Sequence, residues 1–158
     1  MRRILPWLLL VATLAWCGFI WQFSLRDSAA SSATSEGTLV SVNEALESIG
    51  LSLRLDHQTI RKAAHFAEFF VLGVLAAATL MAHGFGHACV IAPGVSFLVG
   101  CVDEILQTFS PGRGPSFLDV LLDTAGGICG STVFFLSLVL YGHLRKKKKK
   151  SEINQKSA

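Results

Sequence analysis

Four stretches of the chain are long and apolar enough to cross a bilayer: Ile4–Phe23, His65–Ala82, Ala88–Leu106 and Phe117–Tyr141. A hydrocarbon core of about 30 Å needs about 20 helical residues. Inside it every backbone N–H and C=O must be satisfied by the chain itself, which helices do. The expected fold is therefore all-α: a polytopic membrane helix bundle of four transmembrane helices. Charge content agrees, at 16% against about 25% in ordinary soluble domains.

The first run is longer than the core of about 7–15 residues of a secretory signal. It is read as an uncleaved helix, with Trp7 and Trp21 at the interfaces. A lipoprotein site at Cys17 fits poorly, because Trp16 stands where a small residue is needed. All four cysteines lie in apolar runs without a CxxC pair, and are expected to be small buried hydrophobes.

Charge is unevenly distributed. Residues 145–158 hold seven basic residues and one acidic, a balance of +6, whereas residues 1–144 hold seven basic and ten acidic, a balance of −3. The basic excess thus belongs to a tail and not to a nucleic-acid surface. Residues 1–144 are read as the transmembrane domain and 145–158 as a disordered, polybasic cytoplasmic tail beside anionic lipid. Arg2, Arg3 and the lysine run place both termini in the cytoplasm, which requires an even number of spans. Residues 24–64 are then outside. Within them Leu39, Val42, Leu46 and Ile49 recur at helical spacing, predicting a short outer amphipathic helix. Asp56 is placed to cap the next helix.

With this topology the polar residues of three spans fall at one depth. Arg61, His65 and Glu68 form one face at the outer end of span two. Asp103, Glu104 and Gln107 close span three, and Asp119 and Asp123 open span four. Pro111-Gly112 predicts a tight turn that returns Arg113 toward the two carboxylates of span three. Asp103 and Glu104 sit at a helix C-terminus, where the dipole disfavours anions, so each needs a cation. Arg61 is a second partner. Blander readings exist for several of these groups. Asp119 follows Ser116 as S-x-x-D and could complete a capping box. Arg61 and, more so, Lys62 read as interface anchors. His65 could simply hydrogen-bond Glu68. The whole set could be an interhelical salt-bridge lock. Gly126, Gly127 and Gly130 suit close helix packing.

Two blocks, IRKAAHFAEFFVLG (Ile60–Gly73) and DEILQTFSPGRGPSFLDVLLDTAGGICG (Asp103–Gly130), resemble the signature segments of the VanZ-like membrane proteins. FSLRDSAASSATS (Phe23–Ser35) resembles the serine-rich segment after their first span. The matching positions are Arg61, Lys62, His65, Glu68, Asp103, Glu104, Gln107, Phe109, Pro111, Arg113 and Asp119. Asp123 departs from the pattern, which more often has Asn. The resemblance implies an integral membrane protein of the bacterial envelope, in the plasma membrane. The founding member of that family is linked to low-level resistance to teicoplanin, a lipid-tailed glycopeptide.

Three functions compete. The first is a non-enzymatic envelope protein whose outer-leaflet site binds a lipid-linked cell-wall precursor or a lipoglycopeptide, with membrane lipids as its other partners. The second is a membrane enzyme acting on a lipid phosphate or lipid-linked substrate, with Glu68, Asp103, Glu104 and Asp119 holding a divalent cation or moving protons. The third is a transporter, which polar residues at one end do not favour. No complete metal, cofactor or nucleophile motif is present in the sequence. The short inner loop and the lack of a soluble domain favour the first reading.

Overall fold

The computed structural model describes residues 4–25, 40–44, 47–48, 55–109 and 114–156. Four long helices account for most of them: α1 (Leu5–Ser24), α2 (His57–Ala82), α3 (Ala88–Gln107) and α4 (Phe117–Lys156). Each is long and apolar enough to span a membrane, α4 through Lys149. The bundle is all-α, and no strand occurs among the described residues.

Local chemistry sets the ends. Pro6 stands in the first turn of α1, where its missing N–H costs no helical hydrogen bond. Asp56 caps α2, its carboxylate accepting from the Thr59 N–H at 2.8 Å. Gly84, with φ of 91°, provides the left-handed residue that lets the chain turn between α2 and α3. The Asn43 side chain accepts from the Leu55 N–H at 2.9 Å, tying the segment before α2 to its approach. Residues 40–44 and 47–48, within the expected outer amphipathic helix, are helical. Leu39, Leu46 and Ile49 lie outside the described residues.

α2 and α4 make the most extensive contact in the bundle, and glycine is the reason. Gly126 faces the Phe66 carbonyl and the Phe69 side chain, Gly130 faces the Phe70 carbonyl, and Gly73 abuts the Gly127 backbone. A Cβ at Gly73, Gly126 or Gly130 would collide with one of these neighbours, and one at Gly127 with the Ser96 side chain of α3. Hydrocarbon solvent gives no hydrophobic drive between helices, so small residues and close van der Waals approach supply the association. Since residue 66 meets 126 and residue 70 meets 130, α2 and α4 run parallel. α3 runs opposite to both, with Gly100 beside Asp123 and Ser96 beside Gly127. α1 docks on α2 and α3. Its Thr13 hydroxyl bonds that of Thr79 at 2.8 Å, and Trp16 donates to the Glu68 carbonyl at 2.9 Å. Phe69, Leu72, Val99, Cys17 and Ile20 form the core beneath these contacts.

Much of the outward surface is apolar, including Leu8, Val11, Val90, Leu98, Ile105, Val133 and Leu136. In water such a surface would be an aggregation hazard; in lipid it is the expected exterior.

Two expectations are corrected. The tail does not begin as a disordered segment at residue 145, because α4 continues without a break to Lys156. Beyond Gly142 the sequence holds no Gly or Pro, and Lys, Leu, Arg, Glu and Gln are good helix formers. At 1.5 Å per residue α4 is about 60 Å long, so its basic end reaches past the hydrocarbon. The cysteines are all free, but only Cys17 is buried, and Cys129 is exposed. Its apolar surroundings are the lipid-facing surface, which sequence alone does not distinguish from a core.

Replacing Gly130 by Val should lower the thermal stability of the detergent-purified protein by at least about 2 kcal/mol, since overpacking meets rigid backbone. Gly94→Ala, where an added Cβ meets nothing within 4 Å, should leave the melting temperature within error. Asp56 is held below its ordinary value of 3.8, mainly by the side-chain hydrogen bond from Thr59. A lowered folded-state value means that the cap's stabilisation is complete above the ordinary carboxylate range. It is lost as pH falls through the lowered value. Amide exchange at Thr59 and Ile60 should accelerate over that acid window, and in Asp56→Ala at neutral pH.

Candidate functional site

Helix periodicity gathers the polar groups at one end of the bundle. The first turns of α2 carry Arg61, Lys62, His65 and Glu68; the last turns of α3 carry Asp103, Glu104 and Gln107; the first turns of α4 carry Asp119 and Asp123. Because α3 is antiparallel to its neighbours, its C-terminus meets both N-termini. Asp103, Glu104, Gln107 and Asp123 are at most 5% exposed. A small cavity of about 10 Å³, room for about one water molecule, is bounded by Arg61, Lys62, His65, Glu104, Gln107, Asp119, Leu122 and Asp123.

The two adjacent carboxylates of α3 point apart, as successive helical residues differ by about 100°. Glu104 turns toward the α3–α4 connection and accepts the Ser116 N–H at 2.6 Å. Asp103 turns inward, where the Gln107 amide donates to its Oδ2 at 2.9 Å. His65 stands between α2 and α3, with Nδ1 3.9 Å from Glu68 Oε2 and 4.0 Å from Asp103 Oδ2. Asp123 packs against Gly100 of α3, where the missing side chain leaves it space.

The capping box is half formed. Ser116 accepts the Asp119 N–H on its Oγ at 3.3 Å, but the reciprocal bond to Ser116 N–H is made by Glu104. Asp119 pairs instead with Lys62 Nζ at 3.3 Å. Lys62, read from sequence as an anchor, is thus an ion-pair partner on the cavity rim. The role of Ser116 as the link between α3 and α4 left no trace in the sequence beyond the S-x-x-D spacing, because its partner lies twelve residues back. Arg61 lines the cavity with Glu104 without an ion-pair contact to it among the described residues. Arg113, the other expected partner, lies outside the described residues.

Among the described residues, three carboxylate oxygens have no hydrogen-bond partner despite burial: Asp103 Oδ1, Glu104 Oε1 and Asp123 Oδ1. His65, Asp103 and Asp123 also bring potential metal-ligand atoms within 4.8 Å of one another.

Across the chain, residues 8–140 match the family model described as VanZ/LLP1. The chain belongs to the VanZ/LLP1 family. The match covers all four helices except the ends of α1 and α4, so the polar end lies wholly within it. No curated protein and no solved structure matches the chain. In this VanZ/LLP1 protein the polar end is a small cavity bounded by side chains of three helices. Arg61 and Lys62 offer positive charge at its rim, and buried carboxylates line its floor.

Glu104→Ala strips the acceptor from the half-buried Ser116 N–H and should destabilise the protein by about 1–3 kcal/mol. Glu104→Gln, which keeps an acceptor oxygen, should recover most of that loss. The more exposed Lys62–Asp119 pair should be worth less than about 1 kcal/mol when broken by Lys62→Met. Thermal denaturation of the three variants in one detergent would check this order.

Proposed function

We propose that this VanZ/LLP1 protein is a multi-pass protein of the bacterial plasma membrane. Its polar end faces outward and binds the polar part of a lipid-linked or lipid-tailed envelope ligand. The carrying observation is the convergence of Arg61, Lys62, Glu104, Asp119 and Asp123 from three helices on one small cavity at a single end of the bundle. A ligand with an acyl tail would keep that tail among the exposed apolar side chains while its headgroup met this cavity. Positive residues near both termini support the cytoplasmic placement of those ends. Teicoplanin, or a lipid-linked cell-wall precursor, has the required combination of tail and polar body.

A membrane-embedded enzyme is the second reading. It is favoured by the unpartnered oxygens of Asp103 and Asp123, since acid–base or metal-assisted chemistry on a lipid phosphate needs such groups. A transporter has less support, because the charged groups gather at one end of the spans and not at mid-depth.

Growth of a susceptible Gram-positive host with teicoplanin and with vancomycin tests the first reading. Cells with the wild-type protein should tolerate teicoplanin severalfold better, with vancomycin little changed. Arg61→Gln, at matched membrane levels, should lose the protection. No protection by well-expressed wild type would remove the resistance role.

A further inference from the structure

We propose that His65, Asp103 and Asp123 form a binding site for one divalent transition-metal ion of the Zn²⁺ or Mn²⁺ type. The inference goes beyond the ligand reading above and does not depend on it.

Three helices each contribute one ligand: His65 from α2, Asp103 from α3 and Asp123 from α4. Their potential ligand atoms all lie within 4.8 Å of one another. Ligands around a tetrahedral ion with bonds of about 2.1 Å stand about 3.4 Å apart, so modest side-chain rotation closes the group on an ion. Both carboxylates are deeply buried, at 0% and 1% exposure, and each keeps one oxygen without a hydrogen-bond partner. A buried, unpaired carboxylate oxygen is costly. An ion between the two removes that cost from both at once.

Of the other carboxylates nearby, Asp119 pairs with Lys62, and Glu104, which accepts the Ser116 N–H and also keeps an unpartnered Oε1, is not in the group whose ligand atoms converge. Around the triad the supporting contacts are those of a metal centre. Gln107 fixes Asp103 by donating to Oδ2 and leaves Oδ1 open. Glu68, 3.9 Å from His65 Nδ1, can orient the imidazole or add a further ligand. The adjoining cavity has room for about one water to complete the coordination. An imidazole with two carboxylates suits zinc or manganese; magnesium and calcium prefer all-oxygen sets.

The test uses full-length protein purified in detergent, stripped with a chelator and dialysed against Zn²⁺ or Mn²⁺. Metal content is then measured per chain. One ion per wild-type chain is expected, together with a rise in melting temperature. His65→Gln and Asp123→Asn should weaken binding at least about tenfold, whereas Asp56→Asn, at the N-cap of α2 and outside the polar cluster, should bind as wild type. Circular dichroism confirms that each variant is folded. His65→Gln keeps the test decisive if Asp123→Asn does not fold. Absence of stoichiometric binding of either ion by folded wild type would overturn the proposal. So would binding left unchanged by His65→Gln. Because metal is counted in purified protein, failure here is distinct from failure of the growth assay.

Discussion

A carboxylate turned toward hydrocarbon is expensive, and this constraint orders the rest of the structure. α3 carries Asp103 and Glu104, and α4 carries Asp123, within segments otherwise fit for lipid. Each helix must therefore rotate until its acids face the bundle. Val102 and Ile105, flanking the acids of α3, are left exposed on the other side, where lipid accepts them. Burial of the acids then demands partners, and Gln107 and the Ser116 N–H are drawn in to meet part of that demand.

The glycines of α2 and α4 make this arrangement possible. Backbone contact at Gly73, Gly126, Gly127 and Gly130 holds the two parallel helices closer than side chains would allow. It fixes their relative depth, so that the first turns of both reach the same level. The last turns of α3 arrive there from the opposite direction. Packing near the middle of the membrane thus sets the geometry of the polar end. The site inherits a rigid frame from helices and does not rest on a loop.

Much of this was legible from residues in order. The four spans follow from run length, and the Asp56 cap and the common depth of the polar groups follow from spacing. Their pairing was less accessible. Lys62 read as an anchor because it is exposed and near an interface, yet it faces Asp119 on a helix more than fifty residues away. Ser116 read as half of a capping box, yet Glu104 of α3 takes the place of the capping acid while Asp119 pairs with Lys62. The basic tail read as disordered from its charge run, although its residues sustain a helix already begun inside the span. Cys129 read as buried because apolar neighbours in sequence look alike whether they meet protein or lipid.

By itself the sequence determined the class of this protein. Long apolar runs leave helices as the means of satisfying the backbone in hydrocarbon, and the depth of each charge follows from its distance to a helix end. The two signature blocks marked the VanZ/LLP1 family before any contact was known. Only the tertiary structure decided which acids have partners and which do not. That choice depends on helix rotation and on the close approach of α2 to α4, quantities of interhelical packing that no single segment encodes. The grouping of His65, Asp103 and Asp123 exists because three helices, each unremarkable in isolation, meet with their inward faces at one level.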